Sequence, residues 1–346
     1  MKTVASFGLN AFLQAVKSKI DPEKSKNKSA KLAIGVNTIM KIVHSNDNID
    51  TEGSAAVALG FFDGVHMGHS AVIRAAKAAG LKTVVATFTR HPSEILKNRC
   101  VKSLMSAQLK EQIFGQLGVD LLCYLDFEKV RDISAEAFLR DIIISRLKAS
   151  SIFCGFNYRL GRGGEAGPEE MQTICAKYGA VGICVPPVCK DGAPVSSTRI
   201  RTLVEQGDVA AAARLLGRPF ELYFEVVPGR RLGRELGTPT INQNIPVSHV
   251  MPLYGVYASV AHVGGKSLPS VTNVGVKPTV GSSSVCAETY IMGYDCDLYG
   301  RTVGIDLVEY LRPEIKFESL EDLKAQINRD AKSAADIIDR YFTHGI

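Results

Sequence analysis

Two rhythms of apolar and polar residues divide this chain. From residue 55 to about 187, short apolar runs alternate with longer stretches of helical period. The runs predict strands over 55–59, 83–88, 121–125, 151–154 and 181–185, and the periodic stretches predict helices over 70–79, 107–115, 135–146 and 169–178. Such alternation builds βαβ units, so an α/β domain with a parallel sheet covered on both faces is expected, with ligands at the carboxyl ends of its strands. Ser134 is a good N-cap for the third helix. Upstream, Met40 to His44 reads as a fresh apolar strand before a polar loop at 45–53.

After Arg218-Pro219 the period becomes two. Strands are expected over 220–227, 256–263, 270–274, 289–292 and 303–311, and an antiparallel barrel satisfies them best. Two short helices over 200–205 and 209–216, split by Gly207-Asp208, make the connection. The tail over 320–342 carries Leu320, Leu323, Ile327, Ala331, Ile337, Ile338 and Tyr341 on one face, which predicts one or two helices packed on the barrel. The domain boundaries read from these shifts are an extension over 1–39, a first domain over 40–205, a linker over 206–218 and a second domain over 219–346.

Composition narrows the function. With 346 residues, 46% hydrophobic and 22% charged, the chain can bury two cores. Its net charge is +6, but residues 1–39 hold seven lysines against Asp21 and Glu23, so the remainder is close to neutral. A neutral body without a basic, aromatic-laced stripe argues against nucleic acid as a partner. The head carries Phe7, Leu9, Phe12, Leu13, Val16 and Ile20 at the spacing of an amphipathic helix, but no arginine, so a dispensable extension is favoured over a targeting segment. Eight cysteines without C-x-x-C pairs or zinc spacing suit reduced thiols in the cytoplasm. No apolar stretch approaches the roughly 20 residues that a membrane span requires.

The chemistry is concentrated in a few stretches. In Ala58-Leu59-Gly60-Phe61-Phe62-Asp63-Gly64-Val65-His66-Met67-Gly68-His69 an apolar run breaks into glycines just before a helix. Helix N-termini attract phosphate, and two imidazoles there add donors for charge that builds during a displacement. A histidine near a turn is often mere filler, but the strand-to-helix junction favours a nucleotide or phosphate site. Thr87 to Pro92, Gly155 to Gly161 and Ser196 to Arg201 also fall at strand ends or helix starts. His91-Pro92 also fits a turn, and Ser196 or Ser197 an ordinary cap, while hydroxyls followed by arginines could form a second anion corner. Further on, Gly229, Gly233 and Gly237 stand four apart before Thr240 and Asn242. An irregular hairpin explains that spacing as well as a phosphate loop does; in the latter, the hard oxygens of Thr240 and Asn242 suit magnesium bound together with ATP.

From about residue 40 onward the chain resembles the bifunctional prokaryotic riboflavin kinase/FAD synthetase family. The likeness rests on G-F-F-D-G-V-H-M-G-H at 60–69, T-F-x-x-H-P at 87–92, G-x-N-Y-R-L-G at 155–161, S-S-T-R-I-R at 196–201 and G-x-x-L-G-x-x-L-G-x-P-T-x-N at 229–242. Further matches are Gly255-Val-Tyr257, Asn273-x-Gly275-x-x-Pro278-Thr279, Glu288-Thr289, Leu298-Tyr-Gly300 and Leu311-Arg-Pro-Glu-Ile-Lys-Phe317. The resemblance implies a Rossmann-like nucleotidyltransferase domain, then a six-stranded antiparallel flavokinase barrel with a C-terminal helix. It implies that riboflavin is phosphorylated to FMN and FMN adenylylated to FAD, with ATP and Mg²⁺.

By the same resemblance, Gly60, Phe62, Asp63, Gly64 and Gly68 bind ATP with His66 and His69, the histidines acting on its phosphates. Asn157 helps position the nucleotide, Ser197, Thr198 and Arg201 complete the phosphate clamp, and His91, Pro92, Tyr158 and Arg159 border the flavin. In the barrel, Gly229, Gly233, Gly237, Thr240 and Asn242 hold Mg-ATP, with the metal on Thr240 and Asn242. Glu288 is the base acting on the riboflavin 5′-hydroxyl, and Arg312 and Glu314 contact flavin. Phe61 stands where asparagine is common, Arg90 where proline is usual and Tyr290 where histidine is frequent, and Asn157-Tyr-Arg-Leu160 replaces D-F-R-F. Partners are expected to be small molecules, without nucleic acid, membrane or an obligatory protein.

Two rival readings are an enzyme with only the adenylyltransferase active and a non-catalytic nucleotide- or RNA-binding regulator. Intact Thr240, Asn242 and Glu288 weigh against the first and the near-neutral body against the second. A chain begun at Met40 is expected to fold and retain both activities, because the head holds no motif. Measuring FMN and FAD formation by that shortened chain tests this, and insolubility or loss of either product contradicts it.

Overall fold

The computed structural model describes residues 40–45, 47, 53–97, 100–229, 238–279 and 282–344. The amphipathic stretch at 7–20, the lysine-rich head, Gly233 and Gly237 lie outside the described residues. Contacts divide the chain into two units: residues up to Val101 with Glu111–Pro194, and Lys102–Lys110 with Val195–Ile346.

In the first unit the apolar runs become strands because both faces of the sheet are covered. Its elements are β1 (Lys41–His44), β2 (Ala55–Leu59), α1 (Met67–Ala78), β3 (Lys82–Phe88), α2 (Pro92–Lys97), α3 (Ala107–Gln116, begun in the second unit), β4 (Leu121–Leu125), α4 (Phe127–Val130), α5 (Ala135–Ala137), β5 (Ala149–Gly155), α6 (Pro168–Lys177), β6 (Val181–Val185) and a small ladder of β7 (Cys189–Lys190) with β8 (Ala193–Pro194). Every residue of β2 and β4 is buried, the signature of a parallel sheet's inner strands. Among the described residues the order is β1-β4-β3-β2-β5-β6, with every pairing parallel. From β2 the chain adds β3 and β4 on one side, then returns to place β5 and β6 on the other. The order therefore reverses between β2 and β5, and in sheets of this kind ligands bind beyond the carboxyl ends of the strands at that point.

Ser134 caps α5 as expected, its Oγ accepting the Ala137 N–H at 3.2 Å. The periodicity read as one α-helix over 135–146 departs after one turn: Phe138–Arg146 is wound as a π-helix. Its wider turn keeps Phe138, Leu139 and Ile143 on the core, and the Ser145 hydroxyl donates to the Arg140 carbonyl at 2.7 Å.

The second unit opens with α7 (Ser197–Glu205) and α8 (Val209–Leu216), stopped by Gly217 in the left-handed region. The barrel follows as β9 (Phe220–Val227), β10 (Thr240–Asn244), β11 (Gly255–Val263), β12 (Lys266–Thr279), β13 (Ser282–Ile291) and β14 (Thr302–Arg312), ahead of the single helix α9 (Leu320–His344). It closes in the order β10-β13-β12-β11-β14-β9, with each neighbour antiparallel. The five strands read from alternation are present, and β10 is the sixth. Residues 102–110 join this unit through Arg201 Nε to the Lys102 carbonyl at 2.7 Å and through the Ser103 and Val250 amides.

Alternation assigns the two faces of the barrel. Val256, Ala258, Val260 and Val271 pack against Ala334 and Ile338 of α9, so that parity faces outward. The opposite parity carries Ser259, Ser270, Thr272 and Thr289, fully buried and joined hydroxyl to hydroxyl at 2.8–2.9 Å. Ile338→Ala is expected to cost about 2–5 kcal/mol by opening a cavity under α9. Phe342→Ala, at an exposed position, should stay within about 0.5 kcal/mol. Denaturant melts of both variants check this, and equal losses would contradict the outward assignment.

Candidate functional site

Beyond Leu59 the backbone takes a strained path. Phe62 (φ 55°) and Val65 (φ 36°) have positive φ, a conformation that costs a residue other than glycine of order 1–3 kcal/mol. The Phe62 ring folds back against Gly60 and meets His69 and Phe114 edge-on at 5.3 and 5.8 Å. Phe62 is therefore a buried support for the histidine, and Asp63 is buried as well. The turn delivers His66 as the N-cap of α1, its Nδ1 accepting the His69 N–H at 3.3 Å. An accepting Nδ1 places the proton of a neutral ring on Nε2. The two imidazoles stack 3.6 Å apart at 16°, so they form one surface at a helix N-terminus.

The motif after β3 is tied to this turn. Thr87 Oγ1 donates to the Phe61 carbonyl at 3.0 Å, and the Phe61 ring meets His91 edge-on at 4.6 Å. His91 Nδ1 accepts the Ser93 N–H at 3.1 Å, fixing the start of α2 at Pro92. After β5, a turn closed by Tyr158 N–H on the Gly155 carbonyl leaves Asn157 exposed. Tyr158 packs on the main core, where burial pushes its phenol pKa up. Arg159 is exposed and its Nε donates to the Gly164 carbonyl at 2.9 Å. Since β3, β2 and β5 are adjacent, all three motifs reach one carboxyl edge.

The fourth motif belongs to the second unit. Ser196 caps α7, its Oγ accepting the Arg199 N–H at 3.4 Å, while Ser197 and Thr198 form the first turn and Arg201 holds Lys102. The cap role falls to Ser196.

On the barrel, register pairs Thr240 with Tyr290, Asn242 with Glu288, and Glu288 in turn with Asn273. Cross-strand partners share a face, here the outward one. Asn242 is buried, and a side chain at Gly229 would collide with its amide, so that glycine serves close approach. The Cys286 thiol points at Asn242 Oδ1 from 3.8 Å. Thr240 lines a cleft with Pro239, Tyr294, Asp295, Asp297 and Tyr299.

Glu314 Oε1 accepts the Asn273 amide at 3.0 Å, and a side chain at Gly275 would overlap that carboxylate. Arg312 pairs with Asp330 of α9. Neither Asn273 nor Asp330 was singled out as a site residue from the sequence. For Asp330 a signal existed, a carboxylate seven residues after Leu323 on the helix's apolar stripe.

Family models match the chain twice, FAD synthetase over residues 48–199 and riboflavin kinase over 216–338. A curated relative from Listeria monocytogenes, named bifunctional riboflavin kinase/FMN adenylyltransferase, is 33% identical over 306 residues, 84% of this chain and 96% of its own length. The relative of that name from Escherichia coli K12 is 32% identical, covering 86% of this chain and 97% of its own. A crystal structure from Streptococcus pneumoniae, described as a macrolide-efflux protein, superposes with a TM-score of 0.78 at 28% identity, over 86% of this chain and 99% of that one.

Proposed function

The chain belongs to the bifunctional riboflavin kinase/FMN adenylyltransferase family, and from that premise we propose that residues 40–205 and 219–346 are its two catalytic domains, joined by the helical linker 206–218. The enzyme transfers phosphate from ATP to riboflavin, giving FMN and ADP, and then joins FMN to a second ATP, giving FAD and pyrophosphate. One observation carries the reading: the two family models lie end to end, one on each half. No helix among the described residues is long and apolar enough to cross a membrane. We place the enzyme in the cytoplasm, a reading supported by eight scattered cysteines whose spacing suits reduced thiols.

In the kinase step a neutral alcohol must attack the γ-phosphorus, and it needs a base. Glu288 takes the proton of the riboflavin 5′-hydroxyl as the new O–P bond forms and ADP departs. Its half-buried place beside Asn242 on the outward face supports that role. Thr240 and Asn242 would hold Mg²⁺, since a hydroxyl and an amide carbonyl are the hard oxygens that it takes together with phosphate. When bound, the ion neutralises phosphate charge. Gly229, Gly233 and Gly237 admit the phosphates, and Arg312 and Glu314 set the flavin.

In the second step the nucleophile is the FMN phosphate, already anionic. No strong base is required; an FMN oxygen attacks the ATP α-phosphorus and pyrophosphate leaves. His66 and His69 donate ring N–H groups to phosphate oxygens, with Gly60, Asp63, Gly64 and Gly68 shaping the approach and Phe62 bracing the pair. Asn157 positions the nucleotide, and His91, Pro92, Tyr158 and Arg159 border the flavin. Ser197, Thr198 and Arg201 offer hydroxyls and a guanidinium to nucleotide phosphates.

His66→Ala and His69→Ala should each lower FMN adenylylation by about 10²–10³, or about 2.7–4 kcal/mol, while riboflavin phosphorylation stays near normal. Separate assays on riboflavin and on supplied FMN measure this, and equal losses in both reactions contradict the assignment. Glu288→Gln should cut kinase turnover by about 10²–10⁴ and leave FAD formation from FMN intact. Turnover within about threefold of the parent would show that Glu288 is not the base, since that lies well below the range for a lost base.

A further inference from the structure

Residues 312–314 leave β14 for the face that carries Glu288, and their path is held at both ends. At one end the Arg312 guanidinium commits all three of its nitrogens. Nε donates to Asp330 Oδ1 and Oδ2 at 3.1 and 3.2 Å, one terminal nitrogen to Oδ2 at 2.7 Å, and the other to the Pro313 carbonyl at 2.9 Å. Gln326 adds its amide to Asp330 Oδ1 at 2.8 Å. At the other end Glu314 rests on Asn273, the register partner of Glu288.

Asp330 is only 6% exposed and shares the buried face of α9 with Ala334 and Ile338. An apolar residue there would serve packing alone equally well, because a buried ion pair commonly gives no more stability than a well-packed apolar replacement. What the carboxylate adds is direction. It fixes the Arg312 fork, the fork fixes the Pro313 carbonyl, and the chain then presents Glu314 to β12.

We propose that Asp330 is a positioning residue for riboflavin in the kinase reaction, acting through Arg312 to set Glu314. This rests on the reading above in which Glu314 contacts the flavin. The full-length enzyme is assayed as D330N, E314Q and the double variant, with KM for riboflavin, KM for ATP, kcat and FAD formation from FMN measured for each. D330N is expected to raise KM for riboflavin about tenfold, the equivalent of roughly 1.4 kcal/mol of binding, with KM for ATP and FAD formation unchanged. E314Q should do the same, and the double variant should add little, because the two lie on one path.

Should D330N fail to fold, Gln326→Leu unties Asp330 while keeping its charge, and a smaller rise in the same constant is expected. A normal riboflavin KM in D330N, or in Gln326→Leu where that variant stands in, beside a raised one in E314Q overturns the role of Asp330. A normal value in E314Q overturns the flavin reading of Glu314, and the proposal with it.

Discussion

Sliding β13 by one residue along β10 would turn Glu288 into the barrel and bring Thr289 to the outside, since strand side chains alternate. The inner layer resists that slip. Thr289 is bonded to Thr272, Thr272 to Ser259 and Ser259 to Ser270, all fully buried, and Gln243 of β10 ties its amide to the Phe224 and Val303 carbonyls. Each hydroxyl stranded by a slip would cost about 1–3 kcal/mol. A network buried inside the barrel thus holds Asn242, Glu288 and Asn273 on the outward face. If Glu288 is the kinase base, as proposed above, its outward position depends on that register more than on any single contact.

The first unit solves a different problem. Its nucleophile arrives charged, so it needs donors placed where negative charge accumulates. In the reading proposed above, the stacked His66 and His69 at the head of α1 are assigned to that need. Their placement follows from β2 being the strand from which the order reverses, and from a left-handed turn that only surrounding packing can hold. Phe62 links the two facts, with its backbone in the strained turn and its ring against His69.

Much of this was legible in the sequence because period and burial coincide. The β2 run is apolar throughout and became an inner strand, and the α9 stripe became the helix on the barrel. Other features were not legible. Thr240–Asn244 is missing from the strands that alternation predicts, since Asn and Gln give no apolar period, yet it is a barrel strand with Gln243 fully buried. The π-helix over Phe138–Arg146 keeps a helical apolar pattern and so looks like α until its carbonyls find partners. The cap of α7 could not be assigned between two neighbouring serines until Ser196 proved to be the extended one. The links from Asn273 to Glu314 and from Arg312 to Asp330 join residues far apart in the chain, beyond the reach of any local pattern.

The central claim is that one chain carries both reactions, in sequence, on separate halves. Incubation with riboflavin, ATP and Mg²⁺, with riboflavin, FMN and FAD separated by chromatography over time, tests it most directly. FMN should appear first, with ADP, and FAD should follow with pyrophosphate. Unchanged riboflavin, or FMN that never proceeds to FAD while ATP remains in excess, would contradict the account.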